Sequence, residues 1–318
     1  LRDRAPVVEV VETDGEIVEG LPEARQSRFS AFVNIMYGCN NFCTYCIVPY
    51  VRGRERSREP EAVLEEALRL RDAGVQEITL LGQNVNSYRG GGAEFANLLY
   101  RLDRLEIPRI RFMTSHPKDL SDELIAAYGE LKHLMPHLHL PVQAGDDEIL
   151  RRMNRRYNRE HYLDLVRRLR AARPDIGLTT DIIVGFPGET EAQFEQTLSL
   201  VDEVRYDSAY TFIYSPRVGT KAASMPDDTP AEEKSRRIQT LIAKQQAITS
   251  EILSGMVGTT AEVLVESVSA RDAGWVGGKS PRALMVNFPG GEELIGRIVK
   301  VRITSAGRNT LRGELVNE

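Results

Sequence analysis

From Ala31 onward the chain alternates short apolar runs with stretches whose apolar residues recur every three or four positions. The runs Ala31 to Met36, Glu77 to Leu81, Arg109 to Met113, His137 to Val142, Leu178 to Val184 and Ser208 to Tyr214 predict six strands. Between them, Pro60 to Ala73, Phe95 to Leu105, Asp122 to Leu131, Arg159 to Ala172 and Glu191 to Val204 carry a helical period, with Val63, Ala67 and Leu70 on one face of the first. Strand and helix in strict alternation imply parallel strands joined by crossover helices. Periodicity leaves open whether the sheet curls into a partial barrel or lies flat and doubly wound.

The pattern then changes. A long polar helix, Pro230 to Ile252, leads into Ala261 to Val265, Leu284 to Phe288, Leu294 to Ile303 and Leu311 to Val316, which read as β with glycine-rich turns. Residues 29–253 therefore form an α/β domain and residues 254–318 a small all-β domain. Residues 1–28 show no sustained period and read as a linker or domain edge.

At 318 residues, 42% hydrophobic and 27% charged, the chain can bury a full core, which excludes intrinsic disorder. Its apolar runs fall far short of the roughly 20 residues of a membrane-spanning helix, and no secretion signal follows Leu1. No membrane association is expected. The net charge of −5 argues against a chain-wide polyanion-binding surface. From Gly255 on, eight basic and seven acidic residues leave only +1, so any nucleic-acid contact is local. Arg52, Arg54, Arg56 and Arg58 alternate along one such stretch, which suits either phosphate contacts or a solvated turn.

The three cysteines, Cys39, Cys43 and Cys46, stand in C-x3-C-x2-C spacing just after the first strand. An odd, clustered set is not a disulfide framework and fits a reducing cytoplasm. Three thiolates on one loop can hold three irons of a four-iron cluster and leave the fourth open to a substrate or cofactor. A Cys3His zinc site that recruits His116 or His139, or inert buried thiols, are the alternatives. Ligands of parallel β/α proteins bind at the C-terminal strand edge, where Asn84, Ser115, His116 and Gln143 fall.

The segment Gly38-Cys39-Asn40-Asn41-Phe42-Cys43-Thr44-Tyr45-Cys46, continuing Ile47-Val48-Pro49-Tyr50-Val51-Arg52-Gly53, resembles the cluster loop of radical S-adenosylmethionine (SAM) methylthiotransferases. Among these it is most similar to the tRNA enzymes of MiaB type that act on N6-isopentenyladenosine. Gly82-Gln83-Asn84-Val85-Asn86, His139 to Gly145, Asp181 to Thr190 and Tyr214 to Thr220 fit the same family, and Val286-Asn287-Phe288 with Arg308 to Glu314 resembles a TRAM module.

The resemblance implies a partial (β/α)6 TIM-like radical SAM barrel followed by a small TRAM β-barrel. It implies a [4Fe-4S] cluster on Cys39, Cys43 and Cys46, with SAM on the open iron beside Tyr45, Gly82, Asn84, Ser115, Gln143 and Asp181. Methylthio transfer to C2 of the adenosine is the activity implied, with threonylcarbamoyl-adenosine or a ribosomal-protein aspartate as other substrates of relatives. A zinc-stabilised, non-catalytic RNA-binding protein is the reading from another class. The expected partners are tRNA, met by Arg52, Arg54, Arg282 and Arg308, and an external donor of flavodoxin or ferredoxin type, with the protein a cytoplasmic monomer. The family also carries an N-terminal domain holding a second, auxiliary cluster. No further cysteine is present here, so the chain is expected to cleave SAM but not to install the methylthio group alone.

Overall fold

The structure, a computed structural model, describes residues 17, 19, 25, 27–269 and 272–316. The expected linker 1–28 lies almost wholly outside these residues. Six parallel strands build the first domain: β1 (Ser30–Asn34), β2 (Glu77–Leu81), β3 (Arg109–Phe112), β4 (His137–His139), β5 (Gly177–Val184) and β6 (Ser208–Ile213). They pair in the orders β1-β2-β3 and β4-β5-β6, all parallel. A parallel bridge between Ile110 and Leu134 joins the two sheets, with the Met135 amide donating to the Ile110 carbonyl at 3.0 Å. Among the described residues nothing pairs β1 with β6, so the six strands form an arc with one open side. This is the partial barrel the pattern left undecided.

Alternation along the strands decides what faces inward. On β5, Leu178, Thr180, Ile182 and Val184 are buried, whereas Thr179, Asp181 and Ile183 are half-buried and line the hollow. The inward face carries unusually exposed apolar side chains, Phe32 on β1 and Tyr210 and Phe212 on β6, at 67%, 56% and 50%. They are exposed to the hollow of the barrel rather than to an outer surface.

The outer layer is helical: α1 (Val48–Arg52), α2 (Pro60–Asp72), α3 (Phe95–Asp103), α4 (Asp122–Glu130), α5 (Asp147–Arg152), α6 (Arg159–Ala172), α7 (Glu191–Val204) and α8 (Ala231–Ser254). Val63, Ala67 and Leu70 are buried as their spacing predicts. Thr190 caps α7 in a reciprocal box with Gln193, so the turn Gly185-Phe186-Pro187-Gly188 delivers the chain into a properly capped helix. Sequence periodicity missed α5, a helix of only six residues.

The second domain is a closed barrel of β7 (Thr260–Val268), β8 (Trp275–Lys279), β9 (Met285–Pro289), β10 (Ile298–Ala306) and β11 (Leu311–Leu315), in the order β7-β8-β9-β11-β10. Val263, Val265, Val276, Val286, Phe288, Val301, Ile303 and Leu311 fill it. Strand β8 was not foreseen, because Gly277 and Gly278 in its middle erase the apolar alternation. The run Leu294 to Ile303 is shorter as a strand than expected: a short 3-10 turn occupies Glu292–Leu294 and β10 begins at Ile298.

This barrel closes the N-terminal end of the hollow. Arg109, 2% exposed, donates to the carbonyls of Lys279 at 2.7 Å and Glu262 at 3.0 Å. Arg111 bonds Glu77 at 2.8 Å and the carbonyls of Ser280 and Pro281, both at 2.8 Å. Between this seal and the strands lies a cavity of about 640 Å³, its walls including Phe32, Arg111, His137, Thr179 and Tyr210. Among the described residues no helix is long and apolar enough to cross a membrane.

Candidate functional site

The cysteine loop leaves the barrel after a two-residue ladder pairs Met36–Tyr37 with Arg56–Ser57. Gly38 opens it at φ +75°, and the returning chain lies so close that a Cβ there would sit 2.0 Å from the Arg54 carbonyl oxygen. The Gly38 amide donates to the Gln83 side chain, and the Cys39 amide donates to the Gly53 carbonyl at 3.2 Å. On the other side, the end of α5 grips the loop. Thr44 donates its amide to Met153 at 3.1 Å and its hydroxyl to the Arg152 carbonyl at 2.9 Å, while Asn154 donates to the carbonyls of Asn41 and Phe42, both at 3.0 Å. The loop is thus held by backbone, hydroxyl and amide bonds that do not involve the thiols.

All three cysteines are free; Cys43 is buried and its neighbours half-buried. Burial pushes the Cys39 thiol up to about 11, opposed by the hydrogen bond from the Asn41 backbone, and raises Cys46 as well. Thiols so placed become good ligands when a metal takes their protons. Among the described residues no three His, Cys, Asp or Glu side chains converge on one point that would hold a single ion. The two histidines that the zinc reading would recruit have their own contacts. His139 meets Thr179 at 3.0 Å and Asp181 at 3.5 Å, and His116 Nδ1 accepts the Lys118 amide at 3.1 Å.

Beneath Cys43 lies Arg155, 7% exposed. Its Nε donates to the Tyr157 hydroxyl at 2.8 Å and its Nη2 to the Pro141 carbonyl at 2.6 Å. Nη1 stands 3.5 Å from both the Cys43 sulfur and the Tyr45 hydroxyl. Among the described residues it has no carboxylate partner. Burial opposes its charge, while the Tyr157 hydroxyl and the Pro141 carbonyl accept its N–H groups and favour the cation, so the guanidinium stays protonated. A buried cation without an anion is costly. A cluster on the three thiols, net anionic because three thiolates outweigh the oxidised core, supplies the missing charge. The donor set and this buried cation both fit a [4Fe-4S] cluster.

Next to Cys46 opens a cleft of about 340 Å³ lined by Tyr45, Gln143, Asp181, Ile183, Phe212 and Arg217, among others. Gln143 is set there by a left-handed backbone, φ 73°, that pairs with β5: its amide donates to the Asp181 carbonyl and its carbonyl accepts from Ile183, both at 2.9 Å. Of the residues foreseen around SAM, the structure brings Tyr45, Gln143 and Asp181 together beside the cysteines. Gly82, Asn84 and Ser115 do not line this cleft. Asn84 donates to Asp119 at 2.7 Å, the Ser115 hydroxyl donates to the His139 carbonyl, and the Gly82 carbonyl accepts from Thr114. Two buried polar atoms near these positions, Asn84 Oδ1 and His116 Nε2, have no partner.

Sequence reasoning did not single out Arg217, Ile183, Phe212 or Arg155. Arg217 and Ile183 lie inside segments already matched to the family, so a signal existed. Arg155 follows the unrecognised helix α5 and had none.

The arginines foreseen at RNA fall in different settings. Arg52 is exposed at the end of α1, and exposed Arg54 lies over the Phe42 ring, 4.9 Å from its centre. Arg308 is exposed and donates to Gln246 of α8. Arg282 is committed to Asp207 in an ion pair across the domain boundary. Phe288 is wholly buried in barrel core.

Residues 33–201 match the radical SAM superfamily, and residues 255–316 match the TRAM domain. A tRNA-2-methylthio-N(6)-dimethylallyladenosine synthase of Thermoanaerobacter sp. strain X514 is 52% identical over 314 residues, 98% of this chain and 67% of that protein. The synthase of the same name from Bacillus subtilis strain 168 is 49% identical over 98% of this chain and 62% of its own length. The chain thus spans about two thirds of these relatives. Among solved structures, the radical SAM methyltransferase TsrM of Kitasatospora setae superposes with a TM-score of 0.51 at 17% identity, covering 76% of this chain and 42% of that one. Coproporphyrinogen III oxidase of Escherichia coli gives 0.50 at 18%, covering 70% and 53%, so the likeness is one of fold. The partial barrel, the cysteine loop and these matches together place the chain in the radical SAM superfamily, within the family of tRNA methylthiotransferases that includes the tRNA-2-methylthio-N(6)-dimethylallyladenosine synthases.

Proposed function

We propose that this chain is the radical SAM and RNA-binding portion of a tRNA methylthiotransferase that acts at C2 of N6-isopentenyladenosine. The observation that carries the reading is the adjacency of three free cysteines on one loop to a cleft with Tyr45, Gln143, Asp181 and Arg217. Cys39, Cys43 and Cys46 would each hold one iron of a [4Fe-4S] cluster. Bound there, the reduced cluster with SAM on its open iron would supply one-electron cleavage of the sulfonium and abstraction of a hydrogen atom.

The chain's own residues do the binding and positioning. Arg217 offers a guanidinium to the SAM carboxylate, while Ile183 and Phe212 give the adenine an apolar wall and Tyr45 and Gln143 bracket it with polar groups. The exposed apolar faces of Phe32 and Tyr210 receive the prenylated base inside the barrel. Arg52, Arg54 and Arg308, with exposed Lys300 and Arg302 on β10, meet the phosphates of the RNA. The electron comes from a small flavodoxin- or ferredoxin-type donor, and the enzyme works as a cytoplasmic monomer. All three cysteines of the chain are in this loop, so a sulfur-donating auxiliary cluster would take its ligands from outside these 318 residues.

Anaerobic reconstitution tests the reading. About four irons per chain, an absorption bleached by dithionite, and 5′-deoxyadenosine from SAM are expected, all lost in Cys43→Ala. A prenylated anticodon stem-loop is expected to bind more tightly than its unprenylated counterpart. Stoichiometric zinc without iron sinks the proposal.

A further inference from the structure

Among the described residues Arg155 is the buried guanidinium that reaches the Cys43 sulfur, and it does not itself line the cleft beside Cys46. Three of its contacts fix its position: Tyr157 at 2.8 Å, Pro141 at 2.6 Å and the Tyr45 hydroxyl at 3.5 Å. Tyr157 is fixed in turn, donating its hydroxyl to the Val142 carbonyl at 2.8 Å. The fourth contact, Nη1 to Cys43 Sγ at 3.5 Å, is the only one directed at a group that changes charge when a cluster is loaded. All the fixed partners are neutral, so the guanidinium's charge is left for the sulfur side of the site.

We propose that Arg155 is a positioning residue for the cluster: it holds the Cys43 sulfur and, as the site's built-in counter-ion, raises the reduction potential of the bound cluster. The inference rests on the reading of the loop as a cluster site. On one-electron reduction by an external donor the cluster gains one negative charge and no bond is made or broken. A cation fixed at hydrogen-bond distance from a ligand sulfur stabilises the reduced form more than the oxidised one. Hydrogen bonds to the sulfurs, net charge and solvent exposure are what set such potentials. The low dielectric around Arg155 strengthens the effect, and its fixed partners mean that no reorganisation accompanies electron arrival.

The experiment is a redox titration of the reconstituted protein, followed by the electron paramagnetic resonance of the reduced cluster, on wild type, Arg155→Lys and Arg155→Met. Arg155→Met is expected to make reduction at least tenfold less favourable, a fall of 59 mV or more for one electron. Arg155→Lys, which keeps the charge and loses the fork, is expected to fall between the two. Midpoints of wild type and Arg155→Met that agree within a twofold change in the reduction equilibrium overturn the inference.

Where Arg155→Met does not accumulate as folded protein, the wild type labelled with 15N-arginine supplies the test. A nitrogen coupling to the reduced cluster, absent in the lysine variant, is expected, and a spectrum identical in the two overturns the inference. If wild type itself takes up no iron and sulfide, the cluster reading fails, an outcome distinct from an unchanged midpoint in a loaded protein.

Discussion

The Asp207 carboxylate, 4% exposed just before β6, takes the Arg282 guanidinium through both oxygens, at 2.6 and 2.7 Å, and so ties the lower rim of the first barrel to the loop between β8 and β9. Removing one partner of such a pair strands a buried charge. Arg282→Ala is expected to cost about 3 kcal/mol in urea unfolding, and Asp207→Asn in the same background to recover much of it. The pH dependence has a definite sign. Burial raises the Asp207 carboxyl above its ordinary value and Arg282 pulls it back, so without Arg282 it rises further. A raised carboxyl costs stability where it is ionised, hence the deficit of Arg282→Ala should shrink as the pH falls towards the carboxylate range. A deficit that grows on acidification would refute this.

His116 supplies the opposite sign. It is 5% exposed and accepts the Lys118 amide through Nδ1, so the neutral ring carries its proton on Nε2. Burial first, then Arg155, Lys118 and Arg156, pull it down to about 2. The unfolded chain takes up a proton near pH 6.5 that the folded one refuses, so stability declines below that pH by about 1.4 kcal/mol per unit for this group. His116→Asn, which keeps an acceptor for the Lys118 amide, is expected to flatten that slope between pH 6.5 and 5. An unchanged slope in urea unfolding would show that the charge is not excluded.

How far the sequence carries depends on what kind of signal each residue leaves. The six inner strands and the faces of the helices were legible because alternation and the 3.6-residue period report burial directly, as Val63, Ala67 and Leu70 illustrate. The cysteine loop was legible because its ligand spacing is local. Strand β8 was hidden by its glycines, and α5 by its length. Arg155 and the Asp207–Arg282 pair were illegible for a different reason: their partners lie 112 and 75 residues away in the chain, and no local pattern encodes such a distance. Asn84 and Ser115 were placed by the rule that ligands gather at strand ends, and Gly82 by the resemblance alone. In the structure the Asn84 amide donates to Asp119 and the Ser115 hydroxyl to the His139 carbonyl, away from the cleft beside Cys46.

The loop's entry is a test of geometry alone. Gly38→Ala puts a Cβ 2.0 Å from the Arg54 carbonyl at φ +75°, and the returning strand must move. Gly74, at φ +83° with nothing within 4 Å, meets the conformational cost without the collision. Each alanine is expected to lose about 1 kcal/mol to the left-handed backbone. Only Gly38→Ala is expected to lose more than half its iron on reconstitution, because only there does the collision displace the cysteines. Equal iron content in the two variants would show that the segment at Arg54 yields without disturbing the ligands.

The basic side chains separate by their settings. A phosphate contact releases counterions, so each one lost lowers the slope of log K against log salt by about 0.7 to 0.9. Arg52 is exposed and Arg54 lies over the Phe42 ring of the cysteine loop. Replacing either by alanine is expected to reduce the slope for a tRNA stem-loop by about one contact. Arg282 already spends its charge on Asp207 across the domain boundary. Lys in its place should therefore preserve the salt slope while changing thermal stability, whereas Arg54→Ala should do the reverse. Filter binding across a salt series, paired with a melting curve for each variant, distinguishes the two roles. A reduced slope in Arg282→Lys would mean that the ion pair opens when RNA binds, and that this arginine faces the nucleic acid after all.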